Sequence, residues 1–175
     1  NQVENAGPNG GDSNNDGVLD YVQGKISTLV DSVSANYQVV QTDCVENGDV
    51  ASSPESGSNI DRGFNYPAGL TSFTTRCPYS GYTANIKLYY YGNFNLSDLV
   101  LRKYNPTTGA YSTVNNAVFS TQTIGGKSVI LVQYSVTDGG EYDLDGVANG
   151  IIVDPVGVGS TATAAPNTCL LYTSD

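Results

Sequence analysis

The chain has 175 residues, 39% of them hydrophobic, and 17 acidic against 7 basic side chains give it a net charge of −10 and a pI near 4.1. That length suits one domain with its own core, and the charge disfavours nucleic acid and anionic membranes as partners while favouring cations. Histidine is absent, which removes the commonest general base and zinc ligand, while 13 tyrosines and 20 glycines suit turn-rich β structure.

Residues 1–11 are rich in Gly and Asn and read as a linker. The polar opening Asn1-Gln2 carries no charged-then-apolar signal, as expected of a mature exported chain. The next stretch, Asp12-Ser-Asn14-Asn-Asp16-Gly17-Val18-Leu-Asp20, is a ladder of oxygen ligands with a glycine at the bend. Side-chain oxygens of Asp12, Asn14 and Asp16, the Val18 carbonyl and the later Asp20 suit one hard cation, Ca2+. Carboxylates this crowded repel one another unless a divalent ion neutralises them, so the loop is expected to order with metal. An EF-hand would carry a bidentate Glu at its twelfth position, where this chain has Gln23. The pattern instead resembles thrombospondin type 3 calcium loops of extracellular proteins. Behind it, Val22, Ile26, Leu29, Val30 and Val33 recur at spacings of three and four, which predicts a short amphipathic helix over 21–34.

From Tyr37 onward alternation and β-branched or aromatic runs predict six strands, over 37–44, 70–77, 84–91, 99–104, 117–122 and 128–136. Turn signals separate them at Pro67-Ala-Gly69, Tyr79-Ser-Gly81, Asn105-Pro-Thr-Thr-Gly109 and Gly125-Gly126. Short strands at this spacing indicate an all-β fold, an antiparallel sandwich of Ig-like or jelly-roll-like type. The polar stretch between Glu46 and Asn65 reads as a long surface loop. Cys44 and Cys77 flank it without metal-type spacing, and a disulfide between them would remove roughly 3 kcal/mol of unfolded-state entropy. Cys169 is then left over, as a free thiol, an intermolecular bridge or a buried inert thiol.

A second acidic stretch, Asp138-Gly-Gly-Glu141-Tyr-Asp143-Leu-Asp145-Gly146-Val-Ala-Asn149-Gly-Ile-Ile-Val-Asp154-Pro155, follows the last apolar strand. Asp138, Asp143 and Asp145, with Asn149 and Asp154 reaching back, suggest a second calcium site; an acidic turn held by its own hydrogen bonds is the alternative. This stretch, continued to Gly157, resembles the end of the choice-of-anchor U domain of bacterial surface proteins. Tyr66-Pro67-Ala-Gly69-Leu-Thr-Ser-Phe73 resembles that domain's strand start, and Arg102-Lys103-Tyr104-Asn105-Pro106 resembles its turn, with Asn105 in place of glycine. Val156 after Asp154-Pro155, where the family usually has Gly-Gly, and the missing tryptophan depart from the pattern. The resemblance covers roughly residues 12–157 and implies a module near the C-terminus of an exported protein, on the cell surface or secreted, with no enzymatic activity.

Three segments follow: 1–36 as linker, calcium loop and helix, 37–159 as the sandwich, and 160–175 as a small-residue linker with a short β-like end. No run of eighteen apolar residues marks a membrane span. The leading expectation is a calcium-stabilised extracellular structural or display module whose partners are neighbouring surface-protein domains. One alternative is a filament subunit that joins copies of itself by donating the 160–175 strand. Another is a glycan-binding adhesin using Tyr79, Tyr82, Tyr89, Tyr90, Tyr91 and Phe94. Without histidine no conventional nucleophilic triad can be built, so catalysis is not expected. Lys87, Lys103 or Lys127 with Asn149 are candidates for an internal isopeptide bond, though no motif marks one.

Overall fold

The computed structural model describes residues 2–161 apart from 56 and 58. Among the described residues, eleven strands form two packed antiparallel sheets, an all-β sandwich. The first sheet contains β1 (Ile26–Val30), β2 (Tyr37–Thr42), β6 (Thr83–Tyr91), β10 (Lys127–Thr137) and β9 (Val118–Ile124), in the order β1-β2-β6-β10-β9. The second runs β3 (Glu46–Ser53), β5 (Leu70–Arg76), β11 (Ile151–Thr161), β7 (Leu99–Asn105) and β8 (Ala110–Thr113), with the two-residue β4 (Phe64–Asn65) also paired to β11.

All six expected strands are present, and the period-2 burial that defined them fills the core. Val40, Phe73, Ile86, Leu88, Tyr90, Leu101, Ile130, Val132, Ile152 and Val156 lie between the sheets. Gly125 and Gly126 join β9 to β10 in a two-residue loop, both at positive φ, the conformation that matches strand twist in tight hairpins. Cys44 and Cys77 are bonded, and because Cys44 follows β2 and Cys77 follows β5, the disulfide ties one sheet to the other.

Several expectations fail. Residues 21–34 are not a helix: Asp20–Val22 is a single 3-10 turn, and Ile26–Val30 pairs with β2 as strand β1. Ile26, Thr28 and Val30 are β-branched and alternate, and pairing buries Ile26 and Thr28 while Val22 and Val33 stay exposed. The boundary expected at residue 36 therefore cuts the β1–β2 hairpin. Glu46–Ser53 is not loop but an edge strand on β5, with a bulge between Gly48 and Ala51. An edge strand with its outer face in water needs no apolar alternation, so its polar sequence concealed it. The closing acidic motif runs into β11, the central strand of its sheet, where Gly157 is required because a Cβ would lie 2.6 Å from the Tyr66 ring and 2.7 Å from Leu70. The expected linker from 160 begins inside this strand, and Cys169 with the rest of the tail lies outside the described residues.

The first sheet has a second apolar face. Ile26, Val39, Tyr89, Tyr91, Ile124, Val129 and Leu131 form a separate core on the side away from the sandwich interior. The segment before β1 covers part of it: the Tyr91 hydroxyl donates to the Ser13 carbonyl at 2.7 Å, and that of Tyr37 to the Ala6 carbonyl at 3.3 Å. Pro8, Gly11, Ser13 and Asp20 are buried there. This packing fixes the first acidic loop against a rigid sheet.

Candidate metal loop and a second acidic loop

In the first loop each carboxylate caps backbone while keeping oxygens toward its neighbours. Asp12 accepts from the Asp16 and Gly17 N–H groups, each at 3.0 Å, which bends the chain at Gly17. Asp16 Oδ1 accepts from the Val18 N–H at 2.9 Å, and Asn14 Nδ2 donates to Asp16 Oδ2 at 2.9 Å. Partial burial pushes the Asp16 carboxyl up, but hydrogen bonds from Asn14, Gln23 and Val18, with the Lys25 charge, hold it below the usual carboxylate value.

Gln23 closes the loop. Its Nε2 lies 3.2 and 3.1 Å from the two Asp16 oxygens and 3.3 Å from the Val18 carbonyl. In the sequence Gln23 stands out only as a departure from the EF-hand, yet it is the side chain on which these oxygens converge. Among the described residues no group of three or more Cys, Asp or Glu side chains is arranged to hold a metal ion. A cation here would therefore draw on amide and backbone oxygens as well as carboxylates.

Asp20 sits apart from that convergence. It is fully buried, accepts from the Ser13 N–H at 3.2 and 3.1 Å, and takes the Thr28 hydroxyl at 2.6 Å. Its role is to pin the loop to β1, a role that Ser13 and Thr28 share and that no sequence signal indicated. Asp16 and Asp20 add their charges to the burial that pushes Tyr89 up to about 12.

In the second acidic stretch Asp138 and Asp143 direct their carboxylates inward onto backbone, while Glu141 and Asp145 stay exposed. Asp138, almost wholly buried, accepts from the N–H groups of Gly81 at 2.7 Å, Gly150 at 2.8 Å and Asn149 at 3.3 Å. Asp143 accepts from Gly139 at 2.8 Å and Val153 at 3.0 Å. Burial pushes its carboxyl above the usual value, Asp145 and Asp138 add to the rise, and the two N–H donors oppose it. Asp145 and Asn149 bond to each other at 3.0 Å. Asp154 is not brought to this loop: its carboxylate points into the sandwich, 2.5 Å from Lys103 Nζ and 2.8 Å from the Tyr134 hydroxyl.

The tyrosines singled out for glycan stacking divide. Tyr89, Tyr90 and Tyr91 are buried and Phe94 is partly buried against the main core. Tyr79 is exposed and meets Tyr82 edge to face at 5.2 Å. Comparison with known proteins yields no match, whether to family models, curated proteins or solved structures.

Proposed function

We propose that the protein is a calcium-stabilised extracellular module that serves structure and display, with Asp12, Asn14, Asp16, the Val18 carbonyl and Gln23 as the ligand set. The observation that carries this reading is the convergence of both Asp16 oxygens and the Val18 carbonyl on the Gln23 amide. The two ends of an amide exchange places by a half-turn, so a cation arriving at this point meets Gln23 Oε1 as a further oxygen ligand. Mixed carboxylate, amide and carbonyl oxygens match what Ca2+ prefers. Asp138 and Asp143 of the second acidic loop are left out of the ligand set, because both are buried and held there by backbone donors.

The Cys44–Cys77 disulfide supports an oxidising compartment. Calcium at the first loop stiffens the segment that covers the outer face of the first sheet. The partners that suit such a module are the neighbouring domains of a surface protein, in keeping with the likeness to choice-of-anchor U domains. Calorimetric titration with calcium and with magnesium tests the reading. Saturable calcium binding that Asp16→Asn abolishes is the expected result; absence of calcium binding to the folded chain overturns it.

A further inference from the structure

Lys103 and Asp154 occupy positions that the strand period assigns to the core. Along β7, Leu99, Leu101 and Lys103 face inward; along β11, Ile152, Asp154, Val156 and Val158 do the same. The two strands are hydrogen-bonded neighbours, with Lys103 opposite Val156, so Asp154 is its diagonal neighbour on the same face. Their side chains are 8% and 0% exposed, and Nζ stands 2.5 Å from Oδ1. Ionic N–H···O contacts ordinarily span about 2.7–2.9 Å. A nitrogen this close to a carboxylate oxygen lies roughly 3–3.5 Å from the carboxyl carbon, the range of a near-attack arrangement.

The geometry points to an intramolecular isopeptide bond between Lys103 Nζ and Asp154 Cγ, formed by the folded chain itself. A proton passes from Nζ to Oδ1 across the short contact, leaving a neutral amine facing a carboxylic acid. The amine attacks Cγ and the Nζ–Cγ bond forms, with negative charge gathering on Oδ2. Tyr134 donates to that oxygen at 2.8 Å and stabilises the charge. Burial first, then the Asp154 charge, pushes the Tyr134 hydroxyl well above its ordinary value, so it remains a donor. Oδ1 takes a further proton from Nζ, the Cγ–Oδ1 bond breaks, and water leaves. The three ammonium hydrogens end as one on the amide and two in the water, and no oxidant or cofactor takes part. A surface pocket lined by Lys103, Tyr111, Glu141 and Asp143 reaches the lysine side of the pair.

The test is the intact mass of the purified, disulfide-reduced full chain, followed by peptide mapping. The expected result is a mass lower than the sequence mass by one water, with a branched peptide joining Lys103 to Asp154. The full sequence mass in folded protein overturns the proposal. Single substitutions of either partner leave a lone buried charge and are at risk of misfolding, so the paired variant Lys103→Met with Asp154→Leu serves as the folded control and should show its full mass. Tyr134→Phe should convert at least about tenfold more slowly in samples taken over time after expression; conversion at the wild-type rate removes Tyr134 from the reaction.

Discussion

The loops at Asp12–Gln23 and Asp138–Gly150 share one vocabulary of alternating Asp, Asn and Gly, and they differ in where their carboxylates point. In the second loop Asp138 and Asp143 are buried and together accept from five backbone N–H groups. In the first, Asp12 is half-buried and Asp16 exposed, and Asp16 keeps both oxygens toward the amide of a glutamine. The glycines follow suit. A Cβ on Gly139 would lie 2.6 Å from the Ala148 nitrogen, whereas one on Gly17 would meet nothing within 4 Å. Acidic spacing alone thus marks a tight turn; exposure separates a loop that serves its own backbone from one that still has lone pairs to offer a cation.

The contrast is broken most forcefully at Asp138. Asp138→Ala strands three backbone donors in a buried turn and should cost at least about 3 kcal/mol, read by urea unfolding and equal with calcium and with chelator. A loss that calcium relieves would give the second loop the role proposed for the first. Saturating calcium, at about 100 times Kd, should stabilise the wild type by about 2.7 kcal/mol, and Asp12→Ala or Asp16→Asn should remove that gain in thermal melts. Gly139→Ala, which combines a steric clash with a positive φ, should cost about 2–3 kcal/mol, against about 1 kcal/mol for Gly17→Ala, where only the left-handed backbone is penalised.

The smallest effect is one of sign. Asp16 titrates lower in the fold than the ordinary 3.8, so its contribution is present above that value and fades as pH falls through the folded value. Asp143 titrates higher, so its contribution is complete below 3.8 and is lost as pH rises through the folded value. Stability measured between about pH 3 and pH 7 should therefore lose part of its acid-side decline in Asp16→Asn and part of its rise-side penalty in Asp143→Asn.

The sandwich was legible because its central strands are buried on one or both faces and carry period-2 or continuous apolar runs. The disulfide was legible because two of the three cysteines bracket one long excursion. Strand β1 was misread because a five-residue strand that follows a 3-10 turn mimics helical spacing when Val22 and Val33 are counted with it. Strand β3 was hidden because edge position freed it from apolar selection, and β11 because its glycines, proline and aspartate suggest a turn. Of the proposed ligand set, Asp12, Asn14, Asp16 and Val18 follow from spacing. The distinct tasks of Gln23 and Asp20 depend on packing against β1, which spacing does not encode. Lys103 is among the lysines that the sequence offers as isopeptide candidates, but with Asn149 as partner; the structure places its Nζ on Asp154 instead, because Lys103 is the third inward position after Leu99 and Leu101.

The position of β11 also bears on the order in which the molecule can be completed. β5 and β7 are made early, yet they touch through β11, whose last described residue is Thr161. Until the ribosome has delivered that residue, the second sheet is two separate halves with unpaired edges, and its share of the core stays open. The second sheet therefore depends on β11 far more than the first, whose five strands pair with one another without it. β11 is the one strand that joins β5 to β7, so pairing along both of its edges is what makes the second sheet a single layer.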